Sequence, residues 1–267
     1  MANTSAANPT TTAEDQRPFV RALARGLDVI VALGNVNEGM TLSEVAAAVA
    51  LDRATARRLL FTLCELRYVR VRDKRFSLSP RVLRLGYGYL SSQPAYELAQ
   101  PLLQDLADRT GESCSIGVLD EDEVVYVARA QSPQRVFTIH VNVGSRFPAY
   151  CTSMGRVLLA GLEISAVDQY LAHAELRKRT RTTVTDPRKL RRIIEDVRTQ
   201  KYSVSDQEME EGIRSVAVPL VDRNNATIAA MNVSVQAGRF EISEITKRLL
   251  PLLRAAATDI QTALRSR

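Results

Sequence analysis

The segment 41–79 constrains the fold of this chain most strongly, because two adjoining helix signals give way there to a strand pattern. Thr41-Leu42-Ser43-Glu44 is a capping box, which starts a helix. Asp52 can cap the next helix only a few residues later. From Tyr68 to Ser79 apolar residues alternate with polar ones, as in a short hairpin with a basic tip. This order predicts a helix-turn-helix followed by a two-stranded wing.

The helix after Asp52 has two chemically different faces. Ala56, Leu59, Leu60 and Leu63 form a core stripe at helical spacing. Arginine and threonine on the other face suit the DNA major groove, where arginine bonds guanine and threonine methyls contact thymine. The predicted DNA contacts are Arg53, Thr55, Arg57, Arg58 and Thr62 on this helix and Arg72, Lys74 and Arg75 on the wing. A solvated cationic surface is the alternative.

Charge is segregated along the chain, although the formal net charge is only +6. Residues 53–84 net +8, residues 177–198 net +6, and the remainder therefore nets −8. A concentrated basic block favours a polyanionic partner such as double-stranded DNA. For the second block we expect a solvated helix face, because acidic residues lie at pairing distance within it.

Several functional classes are disfavoured by what the sequence lacks. Three scattered cysteines and two histidines show no metal-ligand spacing, so we expect neither a metal nor another cofactor, and a reducing cytoplasmic location. No apolar run approaches the roughly 18 residues that span a bilayer. Cys151 and His140 are a candidate nucleophile pair, but no third orienting group accompanies them. The chain is therefore not expected to be an enzyme.

The remaining segments predict the domain organisation. Residues 1–18 are typical of a disordered tail, 19–79 form the winged helix-turn-helix domain, 80–94 a linker helix, and 95–267 an effector-binding domain. The first helix should bury Leu23, Leu27, Ile30 and Val31. After the linker, strands (Val136–Val141 among them) and amphipathic helices alternate in an order that predicts an α+β fold, with a mostly antiparallel sheet covered by helices. The apolar stripe of the linker helix is a candidate for dimerisation or for packing on its own domain.

From about Arg21 onward the chain resembles the IclR family of bacterial transcriptional regulators. The resemblance rests on Leu42–Ala46, Ala54–Leu63, Phe76–Gly86, Pro148–Ala160 and Gln207–Ala217. The Arg57-Arg58 pair, Gly86–Ser92 and Pro148–Arg156 resemble the branch that regulates protocatechuate and 4-hydroxybenzoate catabolism, the β-ketoadipate pathway (PcaR, PcaU and PobR types). The resemblance to the family implies a winged helix, a linker helix and a GAF-like effector domain, in a homodimer or tetramer.

The resemblance also implies an effector pocket beside the start of the first helix of the effector domain. The positions carried over are Ser153, Met154, Ser205, Ser215, Asn232 and Ser234. Helix N-terminal amides there can hold a carboxylate, and serine and asparagine side chains can bond a ring hydroxyl. Arg135 and Arg214 are further candidates for a carboxylate partner, with a structural ion pair as the equal alternative for Arg214.

These observations predict a DNA-binding regulator of aromatic-acid catabolism genes. Its effector would be a small aromatic acid or a pathway dicarboxylate, of the protocatechuate, 4-hydroxybenzoate or β-ketoadipate type. Three alternatives remain at this point: an IclR-type regulator of another small carboxylate, a regulator whose second domain serves assembly alone, and a Cys151-dependent hydrolase.

Overall fold

A computed structural model describes residues 19–92, 94–132 and 141–265. Contacts divide the chain into two compact units, with the boundary between Tyr89 and Leu90. The predicted tail lies outside the described residues, as does nearly all of the predicted strand Val136–Val141. Within the described residues no helix combines the length and apolar character that a bilayer crossing requires.

The N-terminal unit is a winged helix-turn-helix. Its elements are α1 (Arg21–Gly34), β1 (Met40–Thr41), α2 (Leu42–Ala48), α3 (Arg53–Glu65), β2 (Val69–Arg72) and β3 (Arg75–Leu78). The capping box is confirmed: Glu44 N donates to Thr41 Oγ1 at 3.3 Å, and Thr41 N donates to Glu44 Oε2 at 2.7 Å. The three strands pair antiparallel in the order β1-β3-β2. Asp73 and Lys74 both have positive φ, which closes the β2–β3 hairpin in the sense that matches strand twist.

The core of this unit confirms the stripe predicted for α3 and corrects the one predicted for α1. Ala56, Leu60 and Leu63 are buried, and Leu59 packs against the core in part. On α1 the fully buried residues are instead Val29 and Leu33, and of the four predicted residues Ile30 packs against the core in part. Leu23, Leu27 and Val31 are 64%, 49% and 64% exposed. Helix α1 packs against the core through the face next to the predicted stripe, so its broad apolar surface is covered only in part within one chain.

A short connection leads to the second unit. Ser79 caps the 3-10 turn Pro80–Val82, with its hydroxyl accepting from Arg81 N. Helix α4 (Leu83–Ser91) follows and none of its residues is buried in the single chain. The predicted linker helix is therefore present, and its Leu83, Tyr87 and Tyr89 side chains are exposed.

The C-terminal unit is built on one six-stranded sheet. Its strands are β4 (Ser113–Asp120), β5 (Glu123–Gln131), β6 (Arg146–Pro148), β7 (Ser203–Asp206), β8 (Ile213–Val221) and β9 (Thr227–Gln236). They are ordered β6-β5-β4-β9-β8-β7, and every pairing among the described strands is antiparallel. The predicted α+β architecture is confirmed.

Helices cover both faces of this sheet. They are α5 (Pro94–Thr110), α6 (Ser153–Ala160), α7 (Ile164–His173), α8 (Pro187–Gln200), α9 (Ile242–Glu244) and α10 (Leu250–Arg265), with one π-helical turn, Ile245–Leu249, between the last two. One face of the sheet packs on α5 and α10, and the other packs on α6, α7 and α8. Alternation along the strands therefore sends every second side chain toward α6.

Candidate functional site

The exposed face of α3 presents the cations predicted from sequence. Arg53, Arg57, Arg58 and Thr62 are exposed and Thr55 is half-buried. Asp52 fixes the start of the helix, because its Oδ1 accepts from Thr55 N at 2.8 Å. Because the core stripe holds the opposite side, this face is free within the unit to enter a groove.

The tip of the wing presents two of the three DNA contacts that were predicted for it. Arg72 and Lys74 are exposed at the hairpin tip. Arg75 is placed differently: its guanidinium donates to Glu38 O at 3.2 Å and Gly39 O at 2.9 Å and lies 3.4 Å from Glu44. It therefore holds the wing against the segment before α2, a structural role that the alternating pattern does not reveal.

A second polar site occupies the α6 side of the large sheet. Strand register places five polar residues in one row across it: Ser205, Ser215, Ser234, Ser113 and Gln131. The neighbouring row contains Asn232, Ser115 and Arg129. A sheet face that is covered by helices is normally apolar, so two adjoining polar rows on the α6 side indicate a candidate binding surface.

The N-terminus of α6 faces these rows. Thr152 caps the helix by accepting from Gly155 N at 3.1 Å. Ser153, which is 1% exposed, places its Oγ 2.8 Å from Ser215 Oγ. Ser205 Oγ donates to Cys151 O at 3.1 Å. The first N–H groups of the helix lack intrahelical acceptors, so this end favours an anion.

These groups enclose a small cavity. It is lined by Tyr126, Arg129, Val141, Phe147, Thr152, Ser153, Ser205, Met209, Glu210, Ile213, Ser215, Asn232 and Ser234. Five of the six predicted effector residues are thus brought together. Met154 is the sixth, and it packs against Gly117 instead of lining the cavity.

Asn232 carries the least satisfied polar atom of the cavity wall. The residue is 2% exposed, and its Nδ2 donates to Ser234 Oγ at 3.1 Å. Its Oδ1 is buried and has no hydrogen-bond partner within the described part of the chain. An amide oxygen can only accept, so a group that satisfies it must present a donor: the neighbouring Tyr126 phenol, whose pKa Asn232 helps to lower, is one such donor in the cavity wall, and a bound hydroxyl would be another.

Arg129 was missed by the sequence-based prediction and supplies the cation of the cavity. Its Nη1 and Nη2 donate to Ser115 Oγ at 3.3 Å and Ser113 Oγ at 3.2 Å. A register shift between β4 and β5 turns Tyr126 to the same face. Burial raises the pKa of the Tyr126 phenol to about 12, so it remains a neutral hydroxyl at neutral pH. The sequence did carry a signal for Arg129, namely a single arginine within an apolar strand.

The free volume of the cavity is about 60 Å³. This is enough for a few water molecules but below the ~300 Å³ of a typical small-molecule pocket. An aromatic ring therefore requires side chains to shift. Met209 is half-buried, lines the cavity and has a flexible side chain, so it can make this adjustment at low cost.

A buried ion pair holds the cavity wall. Arg156 and Glu208 form two parallel hydrogen bonds of 2.6 Å, and their side chains are 3% and 9% exposed. Arg156 Nε also donates to Tyr150 O at 2.9 Å, and Val184 N donates to Glu208 Oε2 at 3.0 Å. The pair joins α6 to the loop that carries Met209.

The two remaining candidate residues that the structure describes, Cys151 and Arg214, have surroundings that suit a structural role. Cys151 is fully buried, and burial raises the pKa of its thiol to about 11, which leaves it protonated at neutral pH. Its proposed partner His140 lies outside the described residues, as does Arg135. Arg214 donates to Asp206 Oδ1 at 2.6 Å and to Phe240 O at 2.7 Å, which matches the structural reading of this residue. The burial of Cys151 and the protonated state of its thiol argue against a nucleophile at this position.

Comparison with known proteins identifies both units. The IclR helix-turn-helix domain matches residues 22–73, and the C-terminal domain of the bacterial transcriptional regulator IclR matches residues 87–262. The Pca regulon regulatory protein of Pseudomonas putida is 41% identical, over 91% of this chain and 83% of that protein. The p-hydroxybenzoate hydroxylase transcriptional activator of Acinetobacter baylyi is 35% identical, over 91% of each.

Solved structures agree with these matches. A Rhodococcus sp. RHA1 protein superposes with a TM-score of 0.82 at 45% identity, covering 93% of this chain and 99% of that one. The inducer-binding domain of a double mutant of the Acinetobacter PobR transcription factor, in complex with 3-hydroxybenzoic acid, has a TM-score of 0.59 at 36% identity. That match covers 62% of this chain and 97% of that domain. The protein is therefore a member of the IclR family of bacterial transcriptional regulators, not an enzyme, and is similar to Pca and p-hydroxybenzoate regulators.

Proposed function

We propose that this regulator controls genes of aromatic-acid catabolism and that its effector is a hydroxylated benzoate such as 4-hydroxybenzoate or protocatechuate. One observation carries the proposal: the cavity offers a cationic donor, Arg129, and an unsatisfied acceptor, Asn232 Oδ1, on the same wall. The names of the Pseudomonas and Acinetobacter relatives, and the hydroxybenzoate held by the PobR domain, support the same chemical class.

The spacing of the two groups suits a ring with substituents at opposite ends. Arg129 lies on β5 and Asn232 on β9, with β4 between them. Two strand spacings separate their backbones by roughly 10 Å. A carboxylate can bond the guanidinium while the ring hydroxyl donates to Asn232 Oδ1. β-Ketoadipate carries two carboxylates and a ketone, so at neutral pH it has no donor for Asn232.

Replacing Asn232 with Leu tests the hydroxyl assignment. The wild-type protein should bind 4-hydroxybenzoate more tightly than benzoate by about 1–3 kcal/mol, because benzoate leaves the buried acceptor unpaired. In Asn232→Leu that preference should vanish, while the stability of the free protein should change by no more than about 1 kcal/mol, because removal of the orphaned acceptor offsets loss of the Asn232 Nδ2 bond to Ser234 Oγ.

Calorimetric titration of both proteins with both acids measures this difference, and thermal melting provides the stability control. A wild-type protein that binds benzoate and 4-hydroxybenzoate equally would contradict the hydroxyl assignment. Tighter binding of β-ketoadipate than of either hydroxybenzoate would favour a dicarboxylate effector instead.

We propose further that the DNA contacts come from α3 and the wing. Arg57 and Arg58, with Arg53, Thr55 and Thr62, would contact the major groove, and Arg72 and Lys74 would hold phosphates. The basis is their common exposure on the face opposite the core stripe. The tethered position of Arg75 makes its contribution indirect, through the orientation of the wing.

Arg58→Ala should weaken operator binding by about 1–3 kcal/mol and relax the preference for operator over unrelated DNA. Lys74→Ala should weaken binding to all sequences similarly and reduce the slope of affinity against salt by about one ion. Fluorescence anisotropy with operator and scrambled duplexes at several salt concentrations separates the two effects. The matched control is Arg192→Ala on α8, an exposed arginine for which no DNA contact is proposed. Unchanged affinity and selectivity in Arg58→Ala would overturn the assignment.

The same unit supports a homodimer as the DNA-binding species. Leu23, Leu27 and Val31 on α1 form an exposed apolar stripe at helical spacing, and α4 exposes Leu83 and Tyr87. Apolar side chains grouped in this way are typical of interfaces between protein chains. A two-fold dimer would place two α3 helices on two half-sites of a palindromic operator.

A further inference from the structure

Phe61 is a large apolar side chain on α3 and is not among the DNA contacts predicted from the sequence. It is 66% exposed, and the hydrophobic cluster of the N-terminal unit takes Leu59, Leu60 and Leu63 from the same helix instead. Among the described residues, the groove between α1 and α3 is lined by Leu59 and Leu66 but not by Phe61. The ring is therefore separate both from the core and from the apolar stripe of α1.

Helical geometry places Phe61 close to the centre of the face that points away from the core. Arg58 and Arg57 precede it by three and four positions, so the three side chains share one face of α3. Side chains on a helix lean toward its N-terminus, so the ring lies over the turn that carries the two arginines. The N-terminal part of a recognition helix is the part that reaches base edges in the major groove.

Two neighbours of Phe61 limit what this face can present to DNA. Glu65 is exposed one turn further along, and phosphates would repel its carboxylate, so the surface that suits the groove ends at Phe61. Thr62 donates its hydroxyl proton to Arg58 O at 3.0 Å. Hydrogen bonds to bases from this turn therefore come from the arginines, and Phe61 adds the large apolar surface beside them.

We propose that Phe61 recognises thymine, by packing its ring on the C5-methyl group of a thymine in the major groove of the operator. The inference rests on the proposed placement of α3 in that groove. The thymine methyl is the apolar group that bases present there, and phenylalanine is one of the side chains that contact it. Packing would remove from water a ring that the free chain exposes. The arginines on the same face favour a polyanion over an apolar protein partner.

The test compares an operator duplex that contains thymine with a duplex of the same sequence made with uracil, which lacks only the C5-methyl groups. In fluorescence anisotropy the wild-type chain should bind the uracil duplex more weakly by about fourfold, or about 0.8 kcal/mol, for each methyl group contacted. In Phe61→Ala the difference between the two duplexes should fall below about twofold. Both proteins meet the same two duplexes, so effects of uracil on DNA shape cancel in the comparison.

Ile164→Ala on α7 is the matched control, because Ile164 is an apolar side chain that is 57% exposed in the other unit. This variant should keep the full preference for thymine. Phe61→Ala should melt at the same temperature as the wild type or higher, because the side chain it shortens is exposed and alanine favours a helix. Analytical ultracentrifugation should show the same oligomeric state for both proteins.

Equal binding of the two duplexes by the wild type, or a thymine preference that persists in Phe61→Ala, would overturn the proposal. A preference that is lost in Thr62→Ser and kept in Phe61→Ala would assign the methyl contact to Thr62 instead. A changed oligomeric state in Phe61→Ala would place the ring in a protein interface. Arg58→Ala separates this inference from the one on which it rests: if that variant loses operator affinity while Phe61→Ala keeps the thymine preference, α3 does contact the operator and only the role of Phe61 is wrong.

Discussion

Replacing Glu208 with Gln should lower the free energy of unfolding of the C-terminal unit by about 3–5 kcal/mol. The change keeps the size of the side chain but leaves the Arg156 guanidinium charged, 2% exposed as a residue, and without its carboxylate. A buried cation without a counter-charge is costly because protein replaces the water that would solvate it. Denaturant unfolding of the two proteins, followed by circular dichroism, measures the difference.

The exposed pair Arg191–Glu195 on α8 gives the matched control. Arg191 Nε lies 3.1 Å from Glu195 Oε1, but the two side chains are 37% and 57% exposed. Glu195→Gln should cost at most about 0.5 kcal/mol, because water screens this pair. In the Arg156→Met/Glu208→Leu double variant most of the single-variant loss should be recovered, since both buried charges are then absent. Equal small losses of stability in Glu208→Gln and Glu195→Gln would mean that burial does not determine how much the Arg156–Glu208 pair contributes to the free energy of unfolding.

Replacing Arg129 with Met should weaken binding of a hydroxybenzoate by about 2–5 kcal/mol. The guanidinium is the cationic group that we assign to the carboxylate, and methionine keeps much of the length while removing every donor. Titration calorimetry with 4-hydroxybenzoate measures the loss. Arg129 also donates to Ser113 and Ser115, so thermal melting must accompany the titration.

Arg214→Met provides the comparison for this second prediction. Arg214 lies on the same sheet but bonds Asp206 and the carbonyls of Ala237 and Phe240 instead of lining the cavity. The Arg214→Met substitution should lower the free energy of unfolding and leave the affinity of the folded protein for the acid unchanged. If Arg214→Met loses the effector and Arg129→Met retains it, the carboxylate site has been assigned to the wrong arginine.

Local sequence signals were sufficient for the winged helix. The capping box at Thr41, the Asp52 cap and the alternation through the wing each depend on neighbours in sequence, and each predicted the element that is found. The buried face of α1 was predicted wrongly, because helical periodicity locates an apolar stripe but does not say whether one chain or two cover it. Val29 and Leu33 are buried, whereas Leu23 and Val31 are exposed.

The cavity beside the start of α6 could be predicted only in part, because its lining comes from segments that are distant in sequence. Its serines and Asn232 were carried over from the family resemblance, which implies a pocket beside the start of the first helix of the effector domain. Arg129 reaches the same wall through its pairing with Ser115 in the β4–β5 register, a long-range feature that no local pattern encodes. The contact of Met154 with Gly117, and the pairing of Arg156 with Glu208, likewise depend on packing between distant segments.

We propose that a hydroxybenzoate in this cavity controls DNA binding. The most direct test is a gel-shift titration with DNA from upstream of the neighbouring genes, with 4-hydroxybenzoate, protocatechuate, β-ketoadipate or no addition. We predict that a hydroxybenzoate changes operator affinity by about 5- to 150-fold, that β-ketoadipate changes it less, and that Arg129→Met abolishes the response while still binding the operator. Operator binding that is identical with and without both hydroxybenzoates would contradict the account.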